Sequence, residues 1–381
     1  MNAHPIPDWD PRAPAVLEDQ RLAYDEEREH CPVAYDEFLG WSLFRHDDIV
    51  HVLADPDTYA NASAHRAVPN GMDPPEHTRY RHLLEAYFGP EQMSALEPRC
   101  RSIGAELAQV LAARGEVELV TQFAQPFSFQ TLCAFVGWPA ETWQGLRGWT
   151  DRNQHAALNP DATTGAALAQ EFAGHVAGFL HGHGETAQSP GGDAVTGLMA
   201  AEPDGTALDE RDIISILRNW TASHGTLTAG IGIIAWNLAT QPELQHTLRQ
   251  QPALIVPAIE EILRADGMLV ANRRVTTRTA EMQGRTIPAG EQVSLNWIAA
   301  NRDPRTFDDP DAVRLDRDQT DNLLFGAGIH NCVGAPLARL EMRVAVEELL
   351  EHTSMITLAG STPDRDAYPS NGFRALPLHL S

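Results

Sequence analysis

Cys332 stands in a glycine-rich segment, FGAGIHNCVG at residues 325–334, which precedes the amphipathic sequence APLARLEMRVAVEELLEH. This pattern predicts a turn that places the cysteine at the N-terminus of a helix. Backbone N–H groups and the positive end of the helix dipole stabilise a thiolate there, and glycines let the main chain approach a flat ligand closely. A bound iron would complete the deprotonation of the thiol. The chemistry that these residues indicate is metal ligation by Cys332.

Other interpretations of this segment have less support. A cysteine buried in a turn is the ordinary structural interpretation and would suffice for an isolated residue. A dinucleotide-binding loop is excluded, because the glycines do not follow the GxGxxG spacing between a strand and a helix. A c-type haem site is also excluded, because the sequence contains no CxxCH.

The segment resembles the cysteine-ligand loop of the cytochrome P450 family, FGxGxHxCxG, and fills every fixed position. The resemblance implies that Cys332 ligates the iron of haem b and that Phe325, Gly328, His330 and Gly334 belong to the cofactor-binding loop. It extends over nearly the whole chain. We therefore expect one catalytic domain over residues 1–381 with the family's fold, which is mainly α with small β-sheets and forms a helical triangular prism around the haem.

Glu261 and Arg264 stand three residues apart in PAIEEILRADG, so their side chains share a helix face and can form a salt bridge. Such pairs are ordinary on solvated helices, but this one resembles the family's ExxR pair, which supports the region that holds the haem. The family usually adds a third polar partner where this chain has Ala312. Either Arg314 or Arg317 could replace it, and the sequence does not choose between them.

The two propionates of a haem need cationic or donor groups wherever they are buried. The sequence MDPPEHTRYR is similar to the family's DPPEHxxxR helix start and places His77 and Arg81 four residues apart on one face. Arg274 lies thirteen residues before the isoleucine of TIPAG, which is the family's spacing for a strand arginine that reaches a propionate. With His330, these residues are the predicted propionate contacts.

The sequence ILRNWTASHGTLTAGIGIIAWNLATQPELQ resembles the long helix that crosses the distal face of the haem. Thr226 then stands where the family has a threonine that takes part in proton delivery to dioxygen. The family places an acid before this threonine, whereas this chain has Gly225, which cannot relay a proton, and Ser223 replaces a glycine. Either His224 delivers protons through water, or protonation is weak, or His224 points into the core and takes no part.

The resemblance implies a monooxygenase that oxidises a small organic substrate, such as an aromatic compound or a secondary metabolite. Dioxygen and electrons from a ferredoxin or flavodoxin would be required, and Arg339 and Arg343 are the candidate docking charges. Weak protonation would instead favour phenol or indole coupling, or cross-linking of a small peptide, without oxygen insertion. From another class, the chain could be a non-catalytic recruitment module, which the retained haem-binding residues argue against.

The elements that must position these residues are mainly helical. Apolar spacings of three and four residues predict helices at residues 91–114, 209–240 and 257–265, and alternating patterns predict strands at residues 272–295, 355–360 and 373–380. QSPGGD, residues 188–193, is a predicted loop. By analogy with the family, the pocket is lined by residues 61–71, 149–180, 268–272 and 370–373 and the distal helix. Trp138, Trp143, Trp149 and Phe172 form either an aromatic pocket or part of the core.

Composition excludes several other classes of protein. With a formal net charge of -24, the chain would be repelled by the phosphates of a nucleic acid. Its four scattered cysteines include no CxxC pair and indicate a reducing, cytoplasmic compartment. MNAHPIPDWDPRAP lacks the regions of a signal peptide, and polar residues interrupt the uncharged stretch 219–242, so no membrane segment is expected.

Overall fold

The computed structural model describes residues 6–61, 66–158, 161–183 and 193–381, so most of the predicted QSPGGD loop lies outside the described residues. The described helices are α1 (Pro14–Glu18), α2 (Gln20–His30), α3 (His46–Ala54), α4 (Glu76–Glu85), α5 (Pro90–Ala112), α6 (Gln125–Val136), α7 (Trp143–Leu158), α8 (Ala162–His183), α9 (Ala194–Ala200), α10 (Glu210–Thr240), α11 (Pro242–Gln250), α12 (Ile255–Asp266), α13 (Trp297–Ala300) and α14 (Ala335–His352). The described strands are β1 (Val33–Asp36), β2 (Gly40–Leu43), β3 (Tyr59–Ala60), β4 (Glu116–Glu118), β5 (Ala271–Thr276), β6 (Ala280–Met282), β7 (Arg285–Ile287), β8 (Gln292–Asn296), β9 (Ile356–Leu358), β10 (Asp364–Arg365), β11 (Phe373–Ala375) and β12 (Pro377–Leu380). The predicted class, mainly α with small sheets, is confirmed.

Helix α10 is the central element of the fold. Its 31 residues rise about 46 Å, and the side chain of Asp209 caps its first turn by accepting from the N–H of Arg211. Because α6, α7, α12 and α14 all pack against it, α10 is buried along much of its length. The helix predicted over residues 209–240 is therefore present and lies in the core.

The sheets extend beyond the predicted strands. The region 272–295 supplies β5 to β8, and β5 and β8 pair antiparallel within a five-stranded sheet of order β1-β2-β8-β5-β3. Strands β1, β2 and β3 come from the first 60 residues, where the sequence analysis predicted no strand. At the C-terminus, β12 lies between β4 and β9, so the predicted strand pair is present with a third partner.

The tryptophans of the variable region belong to the core. Trp149 packs on Phe172 with ring centroids 4.6 Å apart, and Trp138 stacks on Phe179 at 5.1 Å. Trp149 and Phe172 are almost completely buried. The alternative of an aromatic pocket is therefore wrong for these residues. None of the described helices is long and apolar enough to cross a membrane.

A completely buried arginine joins α12 to the chain that precedes the cysteine loop. Arg264 donates to both carboxylate oxygens of Glu261 at 2.8 and 3.0 Å, and to the carbonyls of Asn301 and Pro310 at 2.7 and 2.9 Å. The third partner that the sequence left open is Arg317, whose Nε donates to Glu261 at 2.7 Å. Arg314 contributes only its backbone N–H to this carboxylate.

We expect Arg317→Ala to lower the free energy of unfolding by about 3 kcal/mol, because it removes one partner of a buried ionic network. Arg314→Ala is the matched control, since that side chain is half exposed and pairs with exposed Asp316. It should change stability by less than about 0.5 kcal/mol. Denaturant unfolding followed by circular dichroism measures both, and equal stability of the two variants would contradict the assignment of Arg317.

Candidate functional site

A cavity of about 550 Å³ is lined by α10 on one side and by the cysteine loop on the other, a volume typical of small-molecule sites. The predicted site residues that line it are Thr226, His224, His77, Arg81, Arg274, Phe325, His330, Cys332 and Gly334. Gly225 and Gly328 do not line it, and neither do Glu261 and Arg264. Of the four predicted pocket stretches, residues 61–71 and 268–272 contribute described lining residues, whereas 149–180 and 370–373 do not.

The side chain of Cys332 is exposed to the cavity that it lines. Its backbone N–H donates to the carbonyl of Phe325 at 2.9 Å, and α14 begins three residues later. Burial raises the pKa of the Cys332 thiol, although the N–H groups of Gly334 and Ala335 act in the opposite direction. The helix terminus thus favours a thiolate, as the sequence predicted, but burial outweighs it. A metal cation is the group that would hold the sulfur deprotonated.

Gly328 is needed for contact with α3, whereas the sequence analysis expected the glycines of this loop to admit a flat ligand. Its φ is +69°, and a Cβ at this position would lie 2.6 Å from the carbonyl oxygen of Leu53 in α3. The missing side chain therefore lets the loop pack on α3 and does not serve the approach of a flat ligand. At Gly334 a Cβ would meet only ordinary contacts, 3.8 Å from Phe88 and 4.0 Å from the sulfur of Cys332, so protein packing alone does not require a glycine there.

Three protonatable side chains meet at the cavity and form no ion pair among the described residues. Arg274 is 7% exposed, donates only to the carbonyl of Arg273, and has its pKa lowered by burial. Both ring nitrogens of buried His77 lack a hydrogen-bond partner, as does Nε2 of His330. Burial, followed by the proximity of His77 and Arg274, lowers the pKa of His330 to about 3. Groups gathered in this way fit a ligand that carries anionic oxygens.

Arg81 connects this group to the cysteine loop. Its Nε donates to Glu85 at 2.7 Å, and its guanidinium also donates to the backbone carbonyl of Asn331, next to Cys332. The rings of His77 and His330 lie 4.2 Å apart, so α4 and the loop meet at the same place. A thiol, the unpaired guanidinium of Arg274 and the unbonded ring nitrogens of His77 and His330 in one cavity fit haem b, which combines an iron with two carboxylates.

Thr226 differs from the other hydroxyl-bearing residues of α10. Thr221, Ser223 and Thr228 each donate to the carbonyl four residues earlier in the helix. Thr226 lines the cavity, and its side-chain hydroxyl makes no hydrogen bond within the part of the chain that the structure describes. Its hydroxyl is therefore available to a molecule in the cavity.

Gly225 stands where the family has an acid before the distal threonine, but in the structure it faces α7. A Cβ here would lie 2.5 Å from the amide nitrogen of Gln154 and 2.8 Å from a methyl carbon of buried Thr150. An acidic side chain would therefore have to displace both residues. The close packing of α7 on α10 explains physically why this position is a glycine.

The sequence analysis did not identify Glu341, a buried acid of α14 that lines the cavity. Its Oε1 lies 3.5 Å from Nε2 of His224, and both residues are at most 5% exposed. Neither atom has a hydrogen-bond partner among the described residues. A signal was present in the sequence, because Glu341 lies four residues from both Leu337 and Ala345 and thus on the apolar face of its helix.

The second nitrogen of His224 fixes its tautomer. Nδ1 lies 2.7 Å from the carbonyl of Trp220, so Nδ1 carries a proton and Nε2 is the atom that gains or loses one. Burial lowers the pKa of His224, but the Glu341 carboxylate and the Trp220 carbonyl outweigh it, so the pKa is raised overall. His224 and Thr226 lie on roughly opposite sides of α10, since each residue advances the helix by about 100°. A direct transfer between these two side chains is therefore not possible.

The proposed docking arginines are both engaged in ion pairs. Arg339 pairs with Glu260 and lies over the ring of Phe325. Arg343 pairs with Glu97 at 2.8 Å and with Glu347 at 3.2 Å. Both guanidinium groups remain partly exposed, and the charge of Arg339 is felt at Cys332, where it favours the thiolate. Their role in docking a redox partner stays a prediction.

Comparisons with known proteins agree with this geometry. Residues 158–377 match the family model described as Cytochrome P450. The chain is 32% identical over 357 residues to cyclomarin C epoxidase of Salinispora arenicola, covering 88% of this chain and 89% of that protein. It is 33% identical over 355 residues to erythromycin C-12 hydroxylase of Saccharopolyspora erythraea, covering 89% and 87%. The crystal structure of CalO2 superposes with a TM-score of 0.87 at 26% identity, covering 99% of each chain.

We expect Arg274→Gln to lose haem at least about tenfold faster than the unchanged protein, because a buried cation–carboxylate contact would be removed. Arg273→Gln is the matched control, since the neighbouring guanidinium donates to the hydroxyl of Tyr368. Haem transfer to an excess of a scavenging protein measures the rate. Equal rates for the two variants would show that Arg274 does not hold a propionate.

Proposed function

The chain belongs to the cytochrome P450 family, and from this premise we propose that residues 1–381 form one catalytic unit in which Cys332 ligates the haem iron. The cofactor is haem b and the activity is that of a cytochrome P450 monooxygenase. When bound, the haem supplies the activation of dioxygen. The observation that carries our assignment of the site is that the cysteine, the unpaired guanidinium of Arg274, the unbonded imidazoles of His77 and His330 and the free hydroxyl of Thr226 line one cavity.

The residues around the cysteine have different roles in holding the cofactor. Arg274, His77 and His330 bind the propionates, which supply the anionic partners that these groups lack in the protein alone. Arg81 holds the carbonyl of Asn331 and thereby the cysteine loop. Phe325 and Gly334 line the cavity and would contact the bound haem, while Gly328 lets the loop pack on α3.

Thr226 orients dioxygen, and Glu341 is the proton source of the cavity. The side of α10 at Gly225 is closed by Gln154 and Thr150, so no acid can act from there. Glu341 lines the cavity itself, and its Oε1 lies 3.5 Å from Nε2 of His224, which raises the pKa of that ring. Protons leave its carboxyl group through water in the cavity.

The substrate is a secondary metabolite with an apolar body and hydrogen-bonding groups. Val68, Pro69 and Leu269 give the cavity apolar walls, whereas Asn70 and Ser223 present polar side chains to it. The names of the related enzymes support this class, since they act on cyclomarin C, erythromycin and mycinamicin IV. A redox partner is required by the family, and we propose a ferredoxin or flavodoxin.

Oxygen insertion is favoured over oxidative coupling. The coupling hypothesis depended on the absence of an acid before Thr226, and Glu341 supplies an acid from another helix. The non-catalytic alternative is not favoured either, because related proteins are named as hydroxylases and epoxidases.

The reduced carbonyl complex tests the assignment of Cys332. We expect the red-shifted Soret band of thiolate ligation, which Cys332→Ser should lose together with activity. Cys31→Ser is the matched control, because that half-buried thiol lies outside the cavity lining and should leave the spectrum unchanged. With candidate metabolites, mass spectrometry should find products heavier by one oxygen. Products lighter by two hydrogens would identify coupling instead, and a Cys332→Ser variant with the unchanged spectrum would refute the assignment.

Glu341→Gln tests the proton source. Removing the carboxylate leaves burial as the dominant influence on His224, so the pKa of that ring falls and its protonated form is lost at lower pH. We therefore expect the alkaline limb of the pH–rate profile to move to lower pH, with more hydrogen peroxide released per dioxygen consumed. Glu348→Gln on the same helix is the control, because Glu348 pairs with Arg101 away from the cavity. An unchanged profile and unchanged peroxide yield in Glu341→Gln would exclude this role.

A further inference from the structure

The loop that covers the cavity is tied to α10 by a series of hydrogen bonds. Ser215 accepts from the N–H of Val68 at 3.0 Å and donates to the carbonyl of Arg66 at 2.9 Å. Asn219 donates to the carbonyl of Val68 at 2.9 Å, and Arg218 donates to that of Arg66 at 2.8 Å. Successive turns of one helix therefore satisfy the backbone groups of this loop segment.

An ion pair extends the series toward the start of α10. The guanidinium of Arg66 donates to both carboxylate oxygens of Asp212, which also accepts from the hydroxyl of Tyr80. Burial raises the pKa of Asp212, but the bonds from Arg66 and Tyr80 outweigh it and lower the pKa overall. The carboxylate therefore remains ionised at neutral pH, and this contact persists.

The helix face that holds the loop is also the face that carries Thr226. Asp212, Ser215, Asn219 and Thr226 follow one another at intervals of three, four and seven residues, which places them on one side of α10. Asn219 and Thr226 are two turns apart, or about 10 Å along the helix axis. The loop segment Val68, Pro69 and Asn70, which lines the cavity, is thus held at a set distance from the Thr226 hydroxyl.

We propose that Asp212 and Ser215 are positioning residues that determine specificity, because together with Asn219, which also lines the cavity itself, they hold this loop segment as a fixed wall of the substrate cavity. The inference rests on the proposed function only in taking the cavity as the substrate site. A substrate must span the distance between this wall and Thr226. The wall meets the parts of the substrate that lie far from the site of oxidation and leaves the region next to the cofactor unaffected.

Amide hydrogen exchange of the holoenzyme tests the contact directly. The N–H of Val68 is buried and bonded to Ser215, so its exchange should be roughly tenfold faster in Ser215→Ala and unchanged in Ser215→Thr, which keeps the hydroxyl. Thr221→Val is the matched control, because that hydroxyl is buried in the same helix but bonds only to the carbonyl of Leu217. Unchanged exchange in Ser215→Ala would overturn the proposal.

Ligand titrations test the consequence for the cavity. Imidazole is small and should bind the ferric haem of Ser215→Ala and Asn219→Ala as it binds the unchanged protein. 4-Phenylimidazole reaches further from the iron, and its dissociation constant should rise several-fold in both variants and not in Thr221→Val. Equal weakening of both probes, or of neither, would contradict a fixed wall. Loss of the thiolate spectrum in the unchanged protein would refute the proposed function, while the exchange result would still decide the role of Ser215.

Discussion

The structure depends on the hydrogen-bond acceptors that surround one buried cation, the guanidinium of Arg264. An arginine carries five N–H donors and does not lose its charge in a protein, so burying it requires an anion and carbonyl oxygens in matching positions. Glu261 supplies the anion, and the carbonyls of Asn301 and Pro310 supply further acceptors. These acceptors belong to the irregular chain that leads into the cysteine loop. The requirements of one side chain in α12 therefore position the segment from which Cys332 is presented.

Arg274 presents the opposite situation, and the contrast indicates where the cofactor lies. It is nearly as buried as Arg264, yet it forms no ion pair with the described residues, and the neighbouring His77 and His330 are also without anions. Asp73 acts on Arg274 only from a distance and forms no ion pair with it among the described residues, so the buried guanidinium leaves a local positive potential. Such a potential disfavours the empty protein and favours a ligand with carboxylates. The same groups thus provide both affinity for the cofactor and its orientation.

The residues that the sequence predicted well are those whose role depends on short fixed spacings. Cys332 with its glycines, the pair Glu261 and Arg264, and the long helix α10 could all be predicted, because local geometry decides where their side chains point. The partner of Glu341 and the choice of Arg317 over Arg314 could not, since they depend on contacts with residues more than fifty positions away. The sequence analysis wrongly expected Gly225 to lie beside the reaction. Only the packing of α7 on α10 shows which side of the helix this residue occupies.

Different sides of α10 contact different parts of the molecule, and these contacts account for the unusual sequence around Thr226. The side with Asp212, Ser215 and Thr226 faces the loop and the cavity, the side with Gly225 packs on α7, and the side with His224 faces α14. An acid beside Thr226 would have to occupy the side that α7 closes, so close packing there is incompatible with the family's usual arrangement. A carboxyl group from α14 avoids that conflict, because Glu341 lines the cavity from a different helix. The departure from the family pattern therefore follows from helix packing and does not require a loss of acid chemistry.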